Sequence, residues 1–369
     1  MAREADGGED GWVSTSSKSL PLADWRPVSQ LHAASTAVTR AAVPAIDVHN
    51  HLGRWLANGD WMIDDVAALV ATMDDCGIAT IVNLDGMWGD EVSTNLERYD
   101  AAHPGRFLTF CQLDWQLLSS DGGVDALIAS LEDSVARGAR GLKVWKNLGL
   151  TVRDATGDLV SPDDPRVAEV LRHAGAIGVP VLIHTADPIA FFEPLDARNE
   201  RIDELLAHPD WWFGNRAEYP TFGRLLGAHA ALVLGCPGTR FIGAHVGGLA
   251  ENLDQVSALL AAAPNYTIDM GGRMAELGRQ PRRFAALVER HPDRVLFGTD
   301  IYPATAEAFR LHVRFLETLD EAFDYDADSP IPTQGRWTVS GIGLAGANLA
   351  AVYRDNAARV LGLSVLGLS

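Results

Sequence analysis

A chain of 369 residues, 47% hydrophobic and 21% charged, has ample material for a packed core, and one α/β barrel of ~250 residues with insertions accommodates it as well as two domains would. A net charge of −19 argues against nucleic acid, which calls for a basic surface, and no apolar run reaches the ~18 residues of a membrane span. The three cysteines, Cys76, Cys111 and Cys236, show neither CxxC spacing nor an even disulfide framework, which suits a reducing, cytoplasmic setting.

Residues 1–40 read as an N-terminal extension. Their first 20, rich in Gly, Ser, Asp and Glu and without a basic-then-apolar leader pattern, are expected to be disordered. Residues 41–369 are expected to form a single catalytic domain. Short apolar, β-branched runs recur along it and predict strands over 45–49, 79–84, 107–113, 141–145, 179–184, 241–245, 266–270 and 295–299. Amphipathic stretches at 64–76, 123–137, 165–177, 249–262 and 282–290 lie between them. Repeated βα units of this number predict a (β/α)8 TIM barrel. The connections 147–166, 187–230 and 301–340 are too long for turns. Each follows the C-terminal end of a strand, where barrel active sites sit, so they are expected to be lids or substrate walls. A last helix over 347–361 is expected to close the barrel.

The chemistry is concentrated at strand ends. In Asp47-Val48-His49-Asn50-His51 two imidazoles share one face of a strand, close enough to hold one ion. His184 ends the fifth predicted strand, His245 the sixth, and Asp300 follows the eighth. Singly, each is equally well a polar residue where a strand leaves the core. Together they converge over the barrel mouth with nitrogen and oxygen donors suited to zinc first, and to iron or manganese. The other histidines, His32, His103, His173, His208, His229, His291 and His312, fall in helices or near loops and are expected to be surface or structural.

Lys143, inside the fourth predicted strand, is costly to bury unless its charge is removed or paired, and a salt-bridged structural lysine is the alternative reading. Lys146 is expected to leave the strand and meet substrate or a loop carboxylate. No Gly-x-Ser-x-Gly elbow and no P-loop is present, so neither a serine nucleophile nor a nucleotide phosphate is indicated. Aromatic residues gather on the early strands (Trp55, Trp61, Trp88, Trp115, Trp145) and in the long loops (Phe191, Phe192, Trp211, Trp212, Phe213, Tyr302). They suit a wall for an apolar or cyclic substrate, or plain packing of loops onto the barrel. Arg54 and Arg273 are placed to bind a substrate carboxylate. The candidate substrate-binding set is therefore Arg54, Trp145, Lys146, Arg273 and Tyr302.

This pattern closely resembles the amidohydrolase superfamily, whose barrels carry HxH on strand one, His on strands five and six, and Asp on strand eight. Phe241-Ile242-Gly243-Ala244-His245-Val246-Gly247-Gly248, Leu296-Phe297-Gly298-Thr299-Asp300 and the ending Asn356-Ala357-Ala358-Arg359-Val360-Leu361-Gly362 resemble its amidohydrolase-related branch, over about residues 45–362. That branch includes hydrolases, decarboxylases and hydratases. The resemblance implies one or two divalent metal ions per chain. It also implies that Lys143, in a Gly-Leu-Lys-Val-Trp context, becomes a carbamate bridging two cations. His49, His51, the carbamate and Asp300 would hold one ion, and the carbamate, His184 and His245 the other, with a bridging hydroxide as nucleophile and Asp300 relaying its proton. The function expected is a metal-dependent hydrolase cleaving an acyl C–N, C–O or C–S bond of a small molecule, with a single-metal decarboxylase or hydratase as the alternative. No nucleic acid or membrane partner is expected, and an exposed ring of helices leaves homodimerisation open.

Overall fold

The computed structural model describes residues 20–364 except Arg26, Ala327, Asp328 and Pro330, so the expected disorder of residues 1–20 falls, but for Leu20, outside the described residues. Eight strands are present: β1 (Ala45–Asn50), β2 (Ile78–Asn83), β3 (Phe107–Thr109), β4 (Leu142–Val144), β5 (Val181–Ile183), β6 (Phe241–Gly243), β7 (Tyr266–Asp269) and β8 (Val295–Leu296). They pair in parallel as two runs, β1-β2-β3 and β4-β5-β6-β7-β8. Backbone hydrogen bonds join the runs at both edges. Between β3 and β4, Cys111 N donates to Gly141 O (2.9 Å) and Lys143 N to Cys111 O (2.7 Å). Between β8 and β1, Val48 N donates to Phe297 O (3.0 Å) and Asp300 N to His49 O (2.8 Å). The strands thus close on themselves as the expected (β/α)8 barrel.

The helices form where sequence periodicity and caps agree. In Val66–Cys76 the buried residues Val66, Leu69, Met73 and Cys76 recur every three or four positions. Asp65 accepts from Ala68 N (2.9 Å) at its start, and Gly77, with φ 77°, ends it in the left-handed region. Pro165–Ala176 starts on a proline capped by Asp164 and buries Val167, Val170, Leu171 and Ala174. These helices cover the outward residues of the strands, such as Leu142, Val144, Val181 and Ile183. Alternation then turns Lys143 and Leu182 into the barrel. Ile46, Val82, Leu182, Ile242 and Leu296 fill the interior, packed with Ala357, Ala358, Val360 and Leu361 of the last helix. Arg240, just before β6, donates to Val360 O (2.8 Å), so that helix seals the end opposite the candidate ligands.

Several elements differ from expectation: the third strand, expected over 107–113, ends at Thr109, and the long connections carry the helices Phe222–Gly235 and Ala306–Glu317. The eighth strand is only two residues long, because Phe297 N turns to Val352 O (2.9 Å) instead of its strand neighbour. The last helix, expected as one element, is Gly346–Ala350 and Asn356–Leu361 separated by a wide turn at Ala351–Asp355, the segment that supplies that carbonyl.

Asp47 ties β1 to the segment after β8. It is fully buried, and its Oδ1 accepts from His49 N (3.1 Å) and Thr299 N (3.0 Å). Its Oδ2 accepts from Asn50 Nδ2 (2.7 Å) and from the Thr299 hydroxyl. Burial pushes the carboxyl up to about 7 in spite of these donors. Asp47→Ala leaves all of them unanswered and is expected to lower the unfolding free energy by about 3 kcal/mol. Urea denaturation measures this; a loss below ~0.5 kcal/mol, the ordinary range for an uninvolved position, would mean that the backbone alone holds the seam.

Candidate metal centre

The pairing of β1 with β2 shifts register between Asp47 and Asn50, and the two histidines stand at the top of the strand there. Asp300 reaches them from β8 on a backbone at φ 53°, in the left-handed region. Its Oδ1 lies 3.8 Å from His49 Nε2 and 3.7 Å from His51 Nε2. Ligand atoms of His49, His51 and Asp300 all fall within 4.8 Å of one another. His245 follows β6, where His245 and Val246 are both left-handed, at φ 57° and 61°. A β-branched residue in that region is strained, a cost that clusters at functional sites. The His245 ring centroid is 4.7 Å from that of His49 and 4.2 Å from that of His184. The five strand-end residues singled out in the sequence are therefore brought together.

Buried acceptors fix the rings. His49 Nδ1 donates to Asp269 Oδ2 (2.9 Å), His51 Nδ1 to Asp85 Oδ1 (2.6 Å) and His245 Nδ1 to Gly271 O (2.7 Å). Each partner can only accept, so each Nε2 keeps its lone pair. Burial holds His49 and His245 below the ordinary imidazole range and His184 down at about 3, so all three are neutral at pH 7. Burial would raise Asp269, but His49 and the N–H groups of His245 and Gly271 keep its carboxyl below the ordinary range. Asp300 is likewise raised by burial and pulled down more strongly, to about 2, chiefly by His49 and His51.

His49 Nε2, both ring nitrogens of His184 and Lys143 Nζ are fully buried without a hydrogen-bond partner. Such orphans cost ~1–3 kcal/mol each, and their clustering with Asp300 is a donor set that suits a divalent metal ion. The residues present fit a metal. Among the described residues Lys143 Nζ has no hydrogen-bond partner and faces the Trp145 ring, 5.3 Å from its centroid. Burial lowers its amine to about 8, against the pull of Asp300, Asp269 and Asp85.

A cavity of about 550 Å3 opens over these ligands. Trp55, Trp145, Phe191, Trp211 and Phe213 wall it, and Lys146 and Arg273 supply cations. Trp145 stands edge-on to His51, His184 and Trp55, with centroids 5.4, 5.5 and 4.7 Å away. Lys146 Nζ pairs with Asp187 Oδ2 (2.6 Å), a loop carboxylate, whose Oδ1 is 3.5 Å from His184 Nε2. Arg273 is 8% exposed, donates to Gly272 O (2.9 Å) and makes no ion pair among the described residues. Arg54 lies outside the cavity wall, where its guanidinium grips the Glu91 carboxylate and covers the Trp61 ring. Tyr302, 66% exposed, lines a neighbouring cavity instead. Trp115 is core packing. Sequence reasoning missed Asp85, Asp187 and Asp269. Each is a carboxylate at or just beyond a strand end, the same signal that marked Asp300.

The chain belongs to the amidohydrolase family: the profile described as Amidohydrolase matches residues 46–363. Among solved structures it is similar to 2,6-dihydroxybenzoate decarboxylase from Rhizobium (17% identity, 87% of this chain and 99% of that chain, TM-score 0.55). It is also similar to dihydroxybenzoic acid decarboxylase from Polaromonas sp. with bound manganese and the inhibitor 2-nitroresorcinol (16%, 87% and 97%, 0.54). A third likeness is to 5-carboxyvanillate decarboxylase from Sphingomonas paucimobilis (14%, 88% and 100%, 0.50). At these identities the likeness concerns the fold. Among curated proteins none matches. No helix among the described residues is long and apolar enough to cross a membrane.

Two predictions follow from the ring anchors. Asp85→Ala and Asp269→Ala are each expected to weaken metal binding about 10- to 100-fold in competition with a chromogenic chelator, and unchanged affinity would remove the carboxylates from the site. The depressed imidazoles also set a pH dependence for the metal-free protein. Unfolded histidines take up protons near 6.5, whereas folded His184 does so only near 3, so this contribution is complete above pH 6.5 and is lost as the pH falls below it. Asp47, shifted upward, opposes the trend but is one group against His49, His184 and His245. The urea midpoint should therefore drop between about pH 7.5 and about pH 5.5, and a rise would contradict the assignment of neutral rings.

Proposed function

We propose that this amidohydrolase is a metal-dependent hydrolase that cleaves an acyl bond, C–N, C–O or C–S, in a small aromatic or apolar substrate bearing a carboxylate. The observation that carries the reading is Lys143 Nζ, buried in the barrel with neither a carboxylate nor a hydrogen-bond partner, in the same site as His184 and His245. Burial that lowers the amine to about 8 leaves a neutral fraction at neutral pH to take up carbon dioxide, and the carbamate so formed is an anion that two cations would hold. His49, His51 and Asp300 would hold one ion, and His184 and His245 the other, with the Lys143 carbamate between them. Bound divalent ions act as Lewis acids on an acyl oxygen and supply hydroxide near neutral pH.

The chain's own groups do the rest. Arg273, with guanidinium N–H groups free towards the cavity, takes the substrate carboxylate. Trp55, Trp145 and Phe213 flank an apolar body and exclude water. Asp300, ionised at neutral pH, receives the proton of the attacking water on a carboxylate oxygen and delivers it to the leaving atom. Asp187 holds Lys146 in the cavity wall.

A second reading, decarboxylation of an aromatic carboxylate, is favoured by the same free Arg273 and aromatic walls, and the three similar structures are decarboxylases. Product analysis separates the two: carbon dioxide released in step with substrate loss, without acyl-bond cleavage, selects the second. For the hydrolase, Asp300→Asn is expected to keep the fold and lower kcat by about two to four decades in a steady-state assay on the best ester or amide found. Near-parental kcat would remove Asp300 from proton transfer.

A further inference from the structure

The two histidines assigned to the second ion both lead into left-handed backbone. His245, Val246, Gly247 and Gly248 have φ of 57°, 61°, 69° and 76° in succession, and Ala186, just beyond His184 and Thr185, has φ 62°. Neither Ala186 nor the β-branched Val246 prefers that region, and such strain persists only where the surroundings enforce it. Packing from outside does not enforce it. A groove of about 1090 Å3, lined from the helices Phe222–Gly235 and Leu253–Ala262, opens there, and Val246 and Gly247 belong to its lining.

His229 lies behind both turns. The buried stripe of Phe222–Gly235 is Leu225, Ala228, His229, Leu232 and Val233, and His229, 1% exposed, is its one polar member. Its Nδ1 is 2.9 Å from the Thr185 hydroxyl and its Nε2 is 2.9 Å from the Tyr266 hydroxyl. Neither hydroxyl has another hydrogen-bond partner among the described residues. A neutral imidazole has one nitrogen that donates and one that accepts, so it answers both hydroxyls at once. Burial keeps the ring in that form by pushing its pKa down to about 4. Each hydroxyl bears on one ligand turn. Thr185 directly follows His184. The Tyr266 hydroxyl lies against Gly243 and Gly247, on either side of His245, so closely that a Cβ at either glycine would overlap it.

We propose that His229 is a positioning residue for the metal centre, bridging the turns that carry His184 and His245 so that both rings face one ion. The proposal goes beyond the hydrolase reading and does not depend on which bond is cleaved. It rests on His184 and His245 being ligands of the same ion, as their ring centroids 4.2 Å apart allow. Ligand distances hold to about 0.2 Å, so two rings on separate strained turns need a common support. His229 reaches both turns from one helix. His49 and His51 share a strand, and their buried carboxylate partners already fix them, so that half of the centre needs no such bridge.

The test is titration of metal-stripped protein with zinc chloride in competition with a chromogenic chelator. The unaltered chain is compared with His229→Leu, His229→Gln, Tyr266→Phe and His184→Ala. His184→Ala identifies which equivalent belongs to this half of the centre. His229→Leu is expected to weaken that equivalent about tenfold, the lower end of what residues supporting metal ligands contribute, and to leave the ion of His49, His51 and Asp300 unchanged. His229→Gln, whose amide stands in for Nε2 at the Tyr266 hydroxyl, is expected to recover part of the loss. Tyr266→Phe keeps the ring, removes one hydroxyl and is expected to show a smaller loss in the same equivalent. A lower urea midpoint with both affinities unchanged, or weakened equally, is the mark of a merely structural role and overturns the proposal. Should His229→Leu fail to fold, Tyr266→Phe decides, and an unchanged affinity there removes the bridge. One equivalent in the unaltered protein that survives His184→Ala removes the ligand assignment and the bridge together, whereas two equivalents without selective loss in the variants remove the bridge alone.

Discussion

The seam between β1 and β8 is the contact on which the rest of the centre depends. Residues about 250 positions apart in sequence meet there through Val48 N to Phe297 O, Asp300 N to His49 O, and the buried Asp47 carboxylate with Thr299. Closing the barrel and assembling the metal ligands are thus one event. The hydrogen bond that seals the ladder also carries Asp300 to within 4 Å of His49 and His51. The short eighth strand and the wide turn in the last helix are consequences of the same closure, since Phe297 gives its N–H to that turn and its carbonyl to Val48.

From that seam the electrostatics run inward. Buried carboxylates behind the rings hold His49 and His51 with Nε2 forward, and a backbone carbonyl does the same for His245. The barrel interior keeps the imidazoles neutral while the cluster keeps Asp300 ionised, which are the protonation states that metal ligands need. Lys143 is the exception, a basic group in the same interior with no hydrogen-bond partner for its Nζ, which faces the Trp145 ring at 5.3 Å and feels Asp300, Asp269 and Asp85 only at a distance. Strained backbone at His245, Val246 and Asp300 indicates that the mouth is shaped for these side chains rather than for stability alone.

Much of this was legible in the sequence because strand ends are legible. A short β-branched run ending in His or Asp marks both an element and the position of its last side chain, and all eight runs form strands. The anchors carry the same strand-end signal more weakly: Asp85, Asp187 and Asp269 stand at or just beyond strand ends but are three among 49 acidic residues, and burial is what separates them from solvated ones. Arg54 and Tyr302 follow strands as Arg273 does, yet Glu91 captures the first and the second turns to the neighbouring cavity. Position after a strand does not fix which way a long side chain turns. His312 reads as a structural helix residue, and its Nδ1 bond to Ala308 O is indeed local.

The central claim is that Lys143 is the anionic bridge of a two-metal centre, and elemental analysis of protein purified without chelators, paired with intact mass in native buffer, addresses it directly. The account predicts close to two metal equivalents per chain and one added carbon dioxide, both lost together on acidification and both absent from Lys143→Ala. One equivalent bound to a chain of unmodified mass would contradict it.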